Sequence, residues 1–190
     1  MIRELVLKNR SYRRFYQDVA IELETLRELV DLARLTASAA NMQPLKYILS
    51  GDPEKNALIF QHLRWAAYLK DWQGPVEGER PSAYIVILKD TEIKSPLPDY
   101  DCGIVSQSIL LGAAEKGFGG CMIHSVQRDR LQEALKIPAR YEILLVIPLG
   151  KPKETVKIEP LGPDGDIKYW RDTEAVHHVP KRALDDIILG

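Results

Sequence analysis

The segment from Cys102 to Lys116 places the strongest constraint on how this chain folds. Ile104, Val105, Ile109, Leu110, Leu111, Ala113 and Ala114 make it hydrophobic nearly all round, with only Ser106, Gln107 and Ser108 as polar breaks. A helix of that kind has no face to give to water, so it must be buried on most sides, in a core or against a second subunit. Gly117 then ends it in the usual C-terminal manner. The remaining elements have to supply the cover.

They read as follows. Ile2 to Leu7 has helical spacing at Ile2, Leu5 and Val6. A longer amphipathic helix carries Leu23, Leu26, Val30 and Ala33 on one stripe, widened by Leu29 and Leu32, and ends near Thr36, where small residues and then Pro44 follow. Lys46 to Ser50 predicts a strand closed by the turn Gly51-Asp52-Pro53, and Glu54 to Leu63 a helix with Pro53 at its first position. From Trp65 to Pro81 the pattern blurs into a surface excursion whose aromatics, Trp65, Tyr68 and Trp72, are candidates for covering a pocket. Ala83 to Leu88 reads as a buried strand, Cys121-Met122-Ile123 as another, Arg128 to Leu135 as a helix and Tyr141 to Leu149 as a strong strand. After Gly150 little periodicity remains, so residues 151–190 are expected to be a mostly irregular extension. Helices and strands in this order predict an α+β fold, with residues 1–190 as a single domain.

Charge narrows the function. Lys and Arg number 26 against 27 for Asp and Glu, a net of −1, which argues against nucleic acid as the main partner because such binding needs a basic excess. The most apolar run, Ile143 to Leu149, is far shorter than the ~20 residues of a membrane helix. The first residues contain no apolar stretch of signal-peptide type, and Cys102 and Cys121 are too few and too far apart for a disulfide framework. Two buried free thiols and a cytoplasmic location are the expectation.

Behind the near-neutral total, cations gather at both ends. Residues 1–15 hold Arg3, Lys8, Arg10, Arg13 and Arg14 against Glu4 alone, and Ser11 sits between Arg10 and Arg13, offering a hydroxyl beside guanidinium forks as a phosphate site requires. His177, His178, Lys181 and Arg182 form a second cationic cluster. The adjacent histidines point different ways on most backbones and have no carboxylate or cysteine at ligand spacing, so no metal site is expected. Gly117, Gly119 and Gly120 follow a helix and lead into a strand, the reverse of a dinucleotide loop, so a Rossmann reading fails. Nothing in the chain looks like a built-in acid, base or nucleophile; catalysis here needs a cofactor to carry the chemistry.

Three separated segments resemble one family. Asn9-Arg10-Ser11-Tyr12-Arg13-Arg14-Phe15 resembles the opening of the nitroreductase family, Arg-Arg-Ser-x-Arg-x-Phe. Ala37-Ser38-Ala39-Ala40-Asn41-Met42-Gln43-Pro44 is similar to its Pro-Ser-x-x-Asn-x-Gln-Pro segment. Asp101 to Cys121, ending in Gly117-Phe118-Gly119-Gly120-Cys121, is similar to its buried helix and glycine turn, and Val179-Pro180-Lys181-Arg182 fits its basic C-terminal segment. Asn9 stands where the family usually has arginine, leaving a phosphate role open to Arg10 or Arg182, and Ala37 stands where proline is common.

The resemblance implies a nitroreductase-like α+β fold with a central, mostly antiparallel sheet flanked by helices. It implies an intertwined homodimer in which residues 151–190 reach over the partner. It also implies an FMN-dependent oxidoreductase taking electrons from NADH or NADPH to a nitroaromatic, a quinone or a related small acceptor. Carried over, Arg10 and Ser11 hold the FMN phosphate and ribityl chain, joined by Lys181 or Arg182. Arg13 lies near the pyrimidine side of the ring, and Ser38, Asn41 and Gln43 come from the other subunit. The backbone of Gly119 and Gly120 approaches the flavin edge, while Trp65, Tyr68 and Trp72 wall the substrate pocket. Two competing expectations stand beside this one: a non-catalytic protein that binds flavin or another phosphorylated ligand for sensing or storage, and a thiol-based redox sensor using Cys121.

Overall fold

In the computed structural model, which describes residues 1–190, the chain opens with α1 (Ile2–Lys8) and the short strand β1 (Phe15–Tyr16). Helix α2 (Leu23–Arg34) buries Leu26, Leu29 and Ala33 but leaves Leu23 and Leu32 exposed, a narrower stripe than the sequence predicts. A single turn of 3-10 helix (Ala39–Asn41) precedes β2 (Leu45–Ser50) and α3 (Pro53–Phe60). Asp52 caps α3, its carboxylate accepting from the Lys55 amide at 2.8 Å, and Pro53 sits in the first turn, where its fixed φ costs nothing. Residues 65–81 form the expected irregular excursion, followed by β3 (Ala83–Asp90) and α4 (Pro98–Glu115). Then come β4 (Gly119–Gly120), α5 (Arg128–Ala134) and the long β5 (Tyr141–Pro152).

β1, β5, β3 and β2 lie side by side in that order, every pair antiparallel, with β4 also pairing antiparallel to β5. Because strand side chains alternate, the central strand feeds two cores. Ala83, Ile85 and Ile87 pack with α2 and α4, while Tyr84, Val86 and Leu88 pack with Ile59, Trp65, Cys121 and Leu131 on the opposite face. β5 does the same with a twist. Ile87 opposes Leu145 but Leu88 opposes Ile143, so Leu144 is an extra residue, a bulge that lets Leu145, Ile147 and Leu149 face one core and Ile143 and Val146 the other. The result is the expected α+β architecture, an antiparallel sheet with helices on both faces.

Two expectations need correction. The C-terminal region, irregular over most of its length as expected, nevertheless carries ordered pairing: β6 (Val156–Pro160), β7 (Trp170–Arg171) and β8 (His177–Lys181) build a second sheet in the order β6-β8-β7, with β6 and β8 parallel. Segments this short, paired across long intervals, leave no alternation to read. The strand expected at Cys121-Met122-Ile123 is displaced. The paired residues are Gly119 and Gly120, whose missing side chains hide the period, and only Ile123 makes a further isolated bridge, to Val146.

α4 is buried along Asp101, Cys102, Val105, Ser106, Ile109, Leu110, Gly112 and Ala113. Its other side is open within one chain: Tyr100 and Ile104 are exposed, as are Gly103 and Gln107. No helix is long and apolar enough to cross a membrane. Ile147 has no solvent exposure and belongs to the core that the sheet shares with α2 and α4. Ile147→Ala is expected to lower unfolding stability by about 2–5 kcal/mol, read as a shift of the urea midpoint, through the cavity it leaves.

Candidate functional site

The two ends of the chain meet at β4. Ser11 bridges Gly120 in parallel register, and the Tyr12 amide donates to the Gly120 carbonyl at 3.0 Å. This closeness demands glycine. A Cβ on Gly119 would lie 2.4 Å from Tyr12 Cδ2, and one on Gly120 would lie 2.3 Å from the Pro148 carbonyl oxygen. The chain's own packing therefore requires the glycine pair, whatever the pair later meets.

Glu154 fastens the other end. Its side chain is fully buried and accepts the backbone N–H of Arg13, that of Arg14 at 3.2 Å, and the Arg171 guanidinium at 3.0 Å. The His177 amide donates to Thr155 at 2.9 Å, which folds β8 back over the N-terminal segment. A cleft of about 310 Å³ results, lined by Arg10, Ser11, Arg13, Gly120, His177 and Lys181, with Gln107 and Leu110 of α4 at its base. No carboxylate lines it.

Within this cleft Arg10 donates to the Val6 carbonyl at 2.5 Å through Nη2, while its buried Nε has no partner. Arg13 donates to the Ser11 carbonyl at 3.2 Å, stands 3.3 Å from His177 Nε2, and lies over the Tyr169 ring at 5.0 Å. The sequence predicts a second cluster that is cationic throughout, and the structure departs from this at His177. Burial, then the Arg13 and Arg171 charges, push the His177 imidazole down to about 4, so it is neutral near pH 7. Since Arg13 can only donate, His177 Nε2 accepts and its proton sits on Nδ1, which is buried without a partner. His178, on the opposite side of β8, is held charged. It bridges Glu159 at 2.7 Å and Asp172 at 2.9 Å, stacks on Trp170, and is raised by the Asp172 and Glu159 hydrogen bonds.

Two unpartnered donors, Arg10 Nε and His177 Nδ1, thus accompany three cations and a hydroxyl at one acid-free cleft. That donor set fits a ligand rich in acceptor oxygens and carrying negative charge, such as a phosphate on a polar stem. Lys181 belongs to the cleft; Arg182, exposed just past β8, does not line it.

Ser38, Asn41 and Gln43 lie elsewhere. Ser38 donates to the buried Asp101 carboxylate at 2.6 Å, the Ala39 amide joins it at 2.8 Å, and Gln43 donates to both Asn41 oxygens at 3.1 and 3.2 Å. Ala40, Asn41 and Gln43 all have φ between 50° and 55°, a costly conformation for side-chain-bearing residues that the Asp101 contacts hold in place. Asp101 is at the first turns of α4, while Gln107 at the cleft is about 9 Å further along the axis at 1.5 Å per residue. One chain therefore does not bring the Ser38 loop to the cleft.

Of the three aromatics, Trp65 is buried and meets Trp72 edge-on at 6.5 Å, and Tyr68 packs on Tyr169 at 4.9 Å. A second hollow adjoins the cleft, sharing Arg13, Met122 and Tyr169; Trp65 lines it, whereas Tyr68 and Trp72 do not. Sequence reading missed Tyr169, Glu154, Asp101 and the neutrality of His177. Glu154 is a lone acid among lysines in sequence, and Tyr169 sits in a stretch of turn residues, so neither carries a local signal. Cys121 is buried and burial pushes its thiol up to about 12, which stands against the thiolate a redox sensor needs.

The nitroreductase family model matches residues 6–151. A curated Archaeoglobus fulgidus protein, provisionally named an NADH dehydrogenase/NAD(P)H nitroreductase, is 28% identical over 80% of this chain and 85% of its own length. A solved Clostridium difficile structure described as an FMN-dependent nitroreductase is 26% identical, with a TM-score of 0.64 over 80% of this chain and 88% of that one. A nitroreductase family protein from Streptococcus pneumoniae shares the fold over 100% of both chains, at a TM-score of 0.72 and 20% identity. This likeness takes in the C-terminal sheet, which lies beyond the residues the family model matches.

The depressed His177 makes a pH prediction. In the unfolded chain this histidine takes a proton near 6.5, in the folded chain only near 4, so between those values the unfolded state binds more protons and stability falls as pH falls. His177→Gln is expected to flatten that acid limb in urea midpoints measured from pH 7 to pH 4, whereas an unchanged slope would assign the limb to other groups.

Proposed function

This chain belongs to the nitroreductase family and is an oxidoreductase, and from that premise we propose that it works with FMN, taking electrons from NADH or NADPH and delivering them to a nitroaromatic, a quinone or a related small acceptor. The observation that supports this reading best is the cleft where both chain ends meet: acid-free, with Arg10 Nε and His177 Nδ1 unpartnered. Bound FMN supplies the two-electron chemistry that no side chain here can supply.

The residues of the chain bind and tune. Ser11 and Arg10 hold the phosphate and ribityl oxygens from the N-terminal side and Lys181 from the C-terminal side, with Arg182 available beyond the strand end. Arg13, kept in place by Ser11, His177 and Tyr169, presents a fixed cation to the pyrimidine side, where it favours the anionic reduced ring. Gly120 presents bare backbone in the cleft, and Gly119 beside it packs under Tyr12. For a quinone the sum is quinone + NAD(P)H + H⁺ → quinol + NAD(P)⁺.

Ser38, Asn41 and Gln43 enter this site from a second copy. The uncovered side of α4, with Tyr100 and Ile104 exposed, supports a homodimer paired along that helix. Antiparallel pairing would set the Ser38 loop at the start of one α4 beside the cleft further along the other.

The purified protein is expected to be yellow, or to become so on adding FMN, and to bleach anaerobically with NADH or NADPH. A colourless protein that takes up no FMN would contradict the proposal, and one that binds FMN but is reduced by neither nucleotide would mark a non-catalytic flavin-binding protein. Arg13→Ala should weaken FMN binding about tenfold or more, the loss of one charge-assisted contact, while exposed Arg3→Ala should leave it unchanged. Equal effects in a fluorescence titration would reduce the cluster to a charged face. A sedimenting monomer that keeps its flavin would refute the shared site.

A further inference from the structure

The hollow beside the cleft has a chemistry of its own. It measures about 300 Å³, at the lower end of ligand-sized sites, and no acid lines it. Its walls include Trp65, Tyr169 and Arg13, and its additional ionisable side chains are Arg64, His124 and the buried Cys121. Six arginines elsewhere, at 14, 27, 34, 80, 140 and 171, are paired with carboxylates. Of the arginines without such a pairing, Arg10, Arg13 and Arg64 line the cleft or its neighbour.

Arg64 is placed there by backbone. Its amide donates to the Ser125 carbonyl at 2.9 Å, and Leu63 bridges Val126 in antiparallel register, so the residue is fastened across the hollow's rim. Its guanidinium makes one bond within the protein, to the Leu63 carbonyl at 3.3 Å, and leaves its other N–H groups free. An exposed guanidinium fork on a hollow that Trp65 and Tyr169 also line suits a flat molecule that ends in a carboxylate, the rings taking the apolar face and the fork taking the acid bidentately.

We infer that the second substrate is a planar acceptor bearing an anionic group, with Arg64 as the residue that selects it. This rests on the flavin oxidoreductase reading above and narrows the acceptor class. For a nitroarene acid the first reduction is ArNO₂ + NAD(P)H + H⁺ → ArNO + NAD(P)⁺ + H₂O, the nicotinamide giving hydride and solvent the second proton. A phosphate of the nicotinamide donor carries the same charge, and the experiment separates the two.

The FMN-loaded protein is titrated, without nicotinamide, with para-nitrobenzoate and with the neutral isostere para-nitrobenzamide, following the flavin absorbance. Wild type should bind the acid at least about tenfold more tightly, the discrimination expected of one charge-assisted fork. Arg64→Ala should abolish that preference without moving FMN affinity, and Arg64→Lys should restore part of it. Equal binding of acid and amide by wild type, or a preference that survives Arg64→Ala, would overturn the inference while leaving the flavin reading intact. If Arg64→Ala instead raises KM for NADPH alone and leaves nitrobenzoate binding as it was, the side chain serves the donor and the inference falls. A protein that takes up no FMN overturns the flavin reading and this one with it.

Discussion

One buried carboxylate holds the two ends of this chain together. Glu154 accepts two consecutive backbone amides, at Arg13 and Arg14, and the Arg171 guanidinium, with no exposure of its own side chain. A charge buried this deeply is tolerated only when its oxygens are fully engaged, and removing one partner from such a group costs about 3–5 kcal/mol. The neighbouring contacts extend the knot. Arg14 and Lys153 both pair with Glu79, whose carboxyl the Arg14 hydrogen bond holds down to about 2, and the Lys153 amide returns to the Arg14 carbonyl at 2.9 Å. Arg171 lies over Trp72 at 4.7 Å, which ties the 65–81 excursion to the same point. The N-terminal motif, the excursion and the C-terminal sheet therefore converge because their charges close on one another.

Much of this was legible in the sequence where the signal was local. The apolar helix, the stripe of α2, the Asp52-Pro53 start of α3 and the β-branched run of β3 all declare themselves within a dozen residues. The meeting of basic segments at opposite ends was suggested by resemblance, and the cleft bears the geometry of it for Arg10, Ser11, Arg13 and Lys181. What was not legible is what depends on distant partners. His177 reads as a cation until the fold buries it against Arg13 and Arg171, while His178, one residue on, keeps its charge because Glu159 and Asp172 flank it. The tie between Ser38 and Asp101 spans 63 positions, and the Glu154 clamp on Arg13 spans 141. No window of sequence displays either.

The same distinction separates the parts of the proposed site. The cleft is built within one chain. The Ser38 loop, held in its left-handed backbone by Asp101, lies at the far end of α4, and the open side of that helix is the surface along which a second copy would join the two. The hollow at Arg64 adjoins the cleft through Arg13, Met122 and Tyr169, and no acid lines either.

Glu154, rather than the cations alone, gives the cleft its shape. The direct measurement is the FMN dissociation constant of Glu154→Gln, which keeps the size of the side chain and removes its charge, with far-ultraviolet circular dichroism confirming a folded protein. Affinity is expected to weaken by about tenfold or more, since both basic segments lose their common anchor. A folded variant that binds FMN as tightly as wild type would contradict it.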